Sequence, residues 1–216
     1  MLKRIRNRRE EEKKVRETNR LPPGQSLTQK FPVLHYGSVP KVDLETWDFR
    51  VFGLVEEEMV WDWTAFNKLP RTKVVMDIHC VTRWSKVDTA WEGVSIATLV
   101  EEGIIRLLPE ARFVVQHCEK NYTTNTPIEL VMQPNFLLAT HYDGQPLTPD
   151  HGYPLRAVVG SFADRSEKSN AYFWKGGKWL RGLEFLAEDR PGFWERAGYH
   201  NEADPWQEQR FSRSWY

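Results

Sequence analysis

The chain has 216 residues and a mass of 25.5 kDa, enough for one large domain or two small ones with a sizeable core. Thirty basic and thirty acidic residues cancel, so charge gives no reason to expect nucleic acid or an anionic membrane surface as partner. Two cysteines, Cys80 and Cys118, are too few for a disulfide framework, and no stretch is apolar for long enough to span a bilayer.

Residues 1–20 are almost entirely charged or polar. They read as a solvated or partly disordered arm, with mixed-sign charges at a spacing that supports an exposed helix. A docking arm for an electron-transfer partner is the alternative. Arg8-Arg9 is followed by Glu10-Glu11-Glu12-Lys13-Lys14 and not by an apolar segment, which argues against an export signal and for a cytoplasmic protein. Leu21-Pro22-Pro23-Gly24 then opens a folded domain expected to run from 21 to 216.

Phe31 to Pro40 reads as extended or irregular. Trp47 to Gly53 alternates apolar and polar residues and predicts a strand. Asp62 to Phe66 resembles a short helix with an acidic N-cap. The β-branched run from Arg71 to Cys80 predicts a buried strand that places Cys80 at its end. Ser95 caps a helix to Gly103, and Arg112 to Cys118 is a further strand. Leu137 to Tyr142 leads into a turn at Asp143-Gly144. Pro154 to Val159 and Trp179 to Phe185 are the last strands. Short strands outnumber helices in irregular order, which predicts an α+β fold on a mixed sheet. The tail from Arg190 to Tyr216, rich in aromatics and arginine, reads as an irregular wrap.

Cys80 has His79, Arg83 and Lys86 nearby in sequence, and positive charge favours a thiolate, the ligand a soft metal takes. From spacing alone, the same residue is also a small buried hydrophobe or half of a Cys/His nucleophilic pair with His79, His117, His141 or His151. No paired Cys or His spacing supports zinc. His151 and Arg156, five apart across Gly152 and Pro154, are donors suited to an anionic or heteroaromatic ligand. Lys175-Gly176-Gly177-Lys178 sets two glycines between two ammonium groups, either a phosphate cradle or an ordinary turn.

Several motifs occur in a telling order. They are Pro22-Pro23-Gly24-Gln25 with Phe31-Pro32-Val33-Leu34-His35, and Cys80-Val81-Thr82-Arg83-Trp84-Ser85 with Trp91-Glu92-Gly93-Val94. Tyr122-Thr123-Thr124-Asn125, Gly144-Gln145-Pro146-Leu147, His151 to Arg156, and Lys175 to Phe185 complete the set. Together, from about Pro22 to Phe211, the chain resembles the molybdopterin-binding domain of the sulfite-oxidase family, in its small stand-alone form.

The resemblance implies a molybdenum cofactor with molybdopterin and no added nucleotide, with Cys80 as the protein's sulfur ligand to the metal. It implies His151 and Arg156 at the pterin and its phosphate, and Gly176, Gly177 and Lys178 at the phosphate end. His35 and Tyr36 fall where the N-terminal segment touches the pterin, and Cys118 and Glu119 fall at another cofactor contact. Cys80, Arg83 and Tyr122 are the residues expected to serve catalysis. The implied activity is oxygen-atom transfer to or from a small sulfur oxyanion or sulfoxide, with electrons exchanged through a separate partner, since the chain has no room for a haem domain.

Two departures stand out. Vertebrate-type sulfite oxidases carry an arginine five residues past the cysteine, and here that position is Ser85, closer to the sulfoxide-reducing branch. Gly160 to Asn170 reads as an insertion at the pocket rim. Two other readings compete: a cofactor-free scaffold relative, and a metal-free Cys/His hydrolase.

Overall fold

A computed structural model of the chain describes residues 2–164 and 171–212, with side chains from residue 9 onward. In chain order the elements are α1 (Leu2–Glu17), β1 (Ser26–Leu27), β2 (Asp48–Gly53), β3 (Met59–Asp62), α2 (Trp63–Phe66), β4 (Thr72–His79) and β5 (Trp84–Val94). There follow α3 (Ile96–Glu101), β6 (Phe113–Cys118), β7 (Thr123–Pro127), α4 (Ile128–Val131), β8 (Phe136–Tyr142), β9 (Gln145–Pro146), β10 (Arg156–Val159), β11 (Leu180–Leu186) and α5 (Phe193–Arg196).

Among the described residues the strands form two sheets. One runs β1-β5-β8-β10, with β4 also on β5 and β9 on β8; the other runs β3-β2-β11-β6-β7. Each contains one parallel pair, β1 with β5 and β2 with β11, among antiparallel neighbours, so the expected mixed α+β arrangement is what forms. The alternation in β2 has its physical consequence: Phe49 and Val51 are fully buried while Arg50 is exposed. They join Trp47, Phe66, Leu99, Val114, Phe136 and Phe185 in the main core. A smaller core of Met76, Ile78, Trp91, Leu137, Val158 and Phe173 lies under the end of the molecule that carries Cys80. The two predicted helices are capped as expected, Asp62 accepting from Ala65 N and Ser95 from Thr98 N.

Five strands were not expected: the two-residue β1 and β9, and β3, β5 and β7. β5 spans eleven residues, but three of its five buried positions are Ser85, Thr89 and Gly93, small or polar groups that interrupt any hydrophobic alternation with Trp91 and Val94. β7, Thr123-Thr124-Asn125-Thr126-Pro127, is polar up to its final proline although its central three residues are buried. β3 is a four-residue edge strand on β2.

The N-terminal arm, expected to be solvated or partly disordered, is the helix α1, and it is tied down. Glu12 accepts from Leu27 N at 3.1 Å, and Arg16 donates to the Gln25 carbonyl at 3.0 Å. Arg20 grips Asp77 through two nitrogens at 2.8 and 2.7 Å. Asp77 is bypassed by the β4–β5 register and instead exchanges backbone hydrogen bonds with Ser161. That pair anchors the start of the expected insertion; its residues 165–170 lie outside the described residues. The tail wraps as expected over 190–212: Tyr172 N donates to the Ala203 carbonyl at 2.7 Å, and Tyr199 bridges to Phe211. Trp215 and Tyr216 also lie outside the described residues.

Candidate active site

Strand β4 ends at His79, and the chain reverses through Cys80 to Arg83 into β5. The reversal is closed by Cys80 N donating to the Trp84 carbonyl at 2.8 Å and Arg83 N to the Cys80 carbonyl at 3.0 Å. Arg83 takes a φ of 72° to complete it. Gln25, beside the Pro-Pro-Gly segment, donates to the Cys80 carbonyl from the side at 3.1 Å. Cys80 is 6% exposed, and its sulfur lies 3.1 Å from the Thr82 hydroxyl. Burial pushes the thiol up, while the Thr82 hydrogen bonds and the charges of Arg210 and Lys178 act in the opposite direction. Among the described residues no histidine ring bonds to this sulfur; His79 Nδ1 faces Ser85 Oγ at 2.8 Å. That removes the hydrogen-bonded base a Cys/His hydrolase needs.

The thiol opens on a cavity of about 240 Å³. One wall is the Cys80–Trp84 turn. Another is the irregular segment with Phe31, Pro32, Leu34, His35 and Tyr36. Trp194 and Tyr199 come from the C-terminal wrap, and Trp174 and Trp179 flank the Gly-Gly segment.

Two cations reach this space. Arg156, at the start of β10, is 1% exposed, donates to the His151 carbonyl at 3.0 Å, and sits 4.3 Å from the Phe173 ring centroid. None of its hydrogen bonds among the described residues goes to a carboxylate. Burial brings its guanidinium down to about 9. Lys178 donates to the Asp150 carbonyl at 2.7 Å, and burial followed by the Arg156 charge lowers it to about 7. The buried Arg156 guanidinium, without a carboxylate partner among the described residues, is costly without an anion. The indole N–H groups of Trp84 and Trp174, both cavity residues, are likewise buried without a partner among the described residues. A thiol, two cations and two spare donors around one cavity fit an anionic, hydrogen-bonding ligand with a soft metal.

Of the residues singled out from sequence, Cys80, His35, Tyr36, Glu119, Tyr122, Arg156, Gly176 and Lys178 line this cavity. His151 stands one layer back, stacked on Phe31 at 4.0 Å with an 11° interplanar angle and its Nδ1 buried without a partner. Burial, then Lys178 and Arg156, lower its pKa to about 4. Arg83 is exposed and outside the lining, because the left-handed turn residue projects away from it.

The two glycines serve differently from expectation. Gly176 N bonds to the Phe173 carbonyl at 3.2 Å and Gly177 N to Gln116 Oε1 at 2.8 Å, so neither amide is free for a phosphate. They are glycine because a Cβ would collide, at 2.4 Å from the Ala157 carbonyl oxygen and 2.4 Å from Cys118 Sγ respectively. Cys118 is therefore a packing sulfur behind the segment, outside the cavity lining, and burial raises its thiol far above the usual range. Sequence reasoning missed Thr82, Gln116, Trp174, Trp194 and Tyr199. The density of aromatics after residue 170 was the only signal for the last three.

A family model described as the oxidoreductase molybdopterin binding domain matches residues 36–194. An uncharacterized oxidoreductase of Bacillus subtilis, YuiH, is 43% identical over 91% of this chain and 94% of its own length. A putative protein-methionine-sulfoxide reductase subunit of Azospira oryzae is 28% identical over 82% of this chain and 64% of the relative. Sulfite oxidase of Arabidopsis thaliana is 26% identical over 84% of this chain, which spans 54% of that protein. Among solved structures, the sulfane dehydrogenase SoxCD from Paracoccus pantotrophus shares the fold, with a TM-score of 0.59 at 20% identity over 76% of this chain and 43% of that one.

Proposed function

The chain belongs to the molybdopterin-binding oxidoreductase family of sulfite-oxidase type, and on that premise we propose that it transfers an oxygen atom to or from a small sulfur compound at the cavity beside Cys80. The observation that carries this reading is the convergence of the Cys80 thiol, Arg156 and Lys178 on one cavity. The cofactor, in the form without an added nucleotide, supplies a metal that exchanges oxygen atoms and electrons. Cys80 Sγ is the protein's sulfur ligand and loses its proton on binding. Arg156 and Lys178 neutralise the phosphate, and the bound anion offsets their desolvation. His35 flanks the pterin from the mouth.

Tyr122 lines the cavity, and burial pushes its phenol well above the usual value, so it stays a neutral donor for a substrate oxygen. Trp84, Trp174, Trp194 and Tyr199 exclude water. The residue at the family's arginine position, Ser85, is fully buried and turned to His79, outside the lining. Among the described residues the cavity walls are largely apolar and hold no guanidinium besides Arg156, which favours an uncharged sulfoxide over a sulfur oxyanion. Electrons arrive from a separate protein partner, and the site of action is the cytoplasm.

Wild type and Cys80→Ala purified from a cofactor-competent host test this. Wild type should hold roughly one molybdenum per chain with a sulfur-to-metal absorption band that Cys80→Ala abolishes. A reduced dye should drive reduction of a methyl sulfoxide faster than the enzyme oxidises sulfite. Correctly folded wild type without molybdenum would refute the cofactor reading, and faster sulfite oxidation would refute the substrate reading.

A further inference from the structure

The turn that carries Cys80 is held from outside by a residue of the C-terminal wrap. Arg210 Nη1 donates to the Val81 carbonyl, 129 residues away in sequence. The backbone that delivers Arg210 is itself pinned, with His200 N bonded to the Arg210 carbonyl at 3.0 Å and the Tyr199–Phe211 bridge beside it. The guanidinium lies 5.9 Å from the Tyr172 ring centroid, and Tyr172 is anchored by its own amide to Ala203.

The other contacts of the turn fix its two ends. Cys80 is bonded through both its N–H and its carbonyl, and Arg83 through its N–H. Between them the Val81 carbonyl sets the plane of the Val81–Thr82 peptide. That plane aims Thr82, whose hydroxyl lies 3.1 Å from Cys80 Sγ. A charged donor on a carbonyl is among the stronger single hydrogen bonds, so one residue can set this plane.

The arrangement is kept at a cost. Arg210 Nε and Nη2 are buried and have no hydrogen-bond partner among the described residues. A guanidinium in that state is destabilising for the fold, so a purely structural role accounts for it poorly.

We infer that Arg210 is a positioning residue for the metal-ligand turn: its guanidinium fixes the Val81–Thr82 peptide and thereby the direction of the Cys80 sulfur. The tether is a property of the polypeptide alone; its consequence at the metal rests on the reading of Cys80 as ligand. Arg210 is outside the cavity lining.

The test uses Arg210→Lys, which keeps the charge but not the planar fork, and Arg210→Gln, which keeps a donor but not the charge. Amide hydrogen exchange is followed in the cofactor-free full chain for the peptide spanning 79–84, with β2 as internal reference. Loss of one charged hydrogen bond should raise exchange in 79–84 on the order of 10- to 100-fold in Arg210→Gln, less in Arg210→Lys, with β2 unchanged. In molybdenum-loaded protein the sulfur-to-metal absorption band of either variant should shift or weaken at unchanged metal content. Unchanged exchange in 79–84, or an equal rise in β2, overturns the local tether. A loosened turn with an unmoved band overturns its effect on the sulfur. Absence of molybdenum from wild type sinks the cofactor reading instead and leaves the exchange result standing.

Discussion

The contact between Gly177 and Cys118 yields a quantitative expectation. A methyl group at residue 177 would stand 2.4 Å from Cys118 Sγ, about 1 Å inside ordinary van der Waals contact. Both residues are buried, Gly177 within the segment between two aromatic-flanked lysines and Cys118 at the end of β6, so neither can step aside into solvent. Overpacking of this kind costs about 1–3 kcal/mol. For a chain of this size that lowers the melting temperature by roughly 2–12 °C. Cys118→Ala removes a single buried heavy atom and should cost about 1 kcal/mol. The double variant is the informative one. With the sulfur gone, the nearest atoms to the new methyl become Gln116 Oε1 at 3.3 Å and Gln116 Cβ at 3.8 Å, so a shift of a few tenths of an ångström accommodates it. Urea unfolding of the cofactor-free protein should show the double variant at least as stable as Gly177→Ala, with a favourable coupling of about 1–3 kcal/mol and an unchanged slope. Additive losses would refute the packing argument. Cys118→Ala should also keep its molybdenum, since this sulfur backs the segment and does not face the cavity; loss of metal would return Cys118 to the cofactor contacts.

Two further outcomes follow from buried charge and from titration. Glu195 Oε1 accepts from Lys175 Nζ at 2.6 Å and from Thr124 at 2.7 Å, with both members of the ion pair almost fully buried, so Glu195→Gln should cost about 3–5 kcal/mol in urea unfolding. Burial already pulls the Lys175 ammonium down, and loss of its carboxylate should leave it neutral and the tail easier to cleave by protease. His151 sits near 4 in the folded chain, below its ordinary 6.5, so the unfolded chain binds more protons between those values and stability falls as pH drops from 6.5 to 4. For a half-buried ring, partly screened by solvent, the loss is about 1–2 kcal/mol, and His151→Gln should remove it. Urea midpoints at pH 4.5 and 7 check this; equal losses in wild type and variant would show that the ring does not carry it.

Much of the candidate site was legible because its chemistry is carried by residue type at short spacing. Cys80 at the end of a β-branched run, and His151 and Arg156 about one turn, need no tertiary information to be grouped. The strand leading to Cys80 could be read because Val74, Met76 and Ile78 alternate into one core. Its partner β5 could not, since Ser85 and Thr89 are buried by hydrogen bonds to His79 and to the Met76 carbonyl, and buried polar groups look in sequence like surface ones. The same holds for β7, whose Thr124 and Asn125 are satisfied by Glu195, Asp189 and Asn201 far along the chain.

Sequence alone determined the family, the thiol, the two cations and the mixed character of the sheets, because periodicity and motif order are local properties. Only the tertiary structure decided that Arg83 lies outside the cavity lining, that the Gly-Gly amides are already spoken for by Gln116 and Phe173, and that the N-terminal arm, through Arg20, and the C-terminal wrap are clamped to the Cys80 end of the molecule. Those outcomes depend on which donors and acceptors meet across the fold, and a one-dimensional pattern carries no term for a contact made 129 residues away.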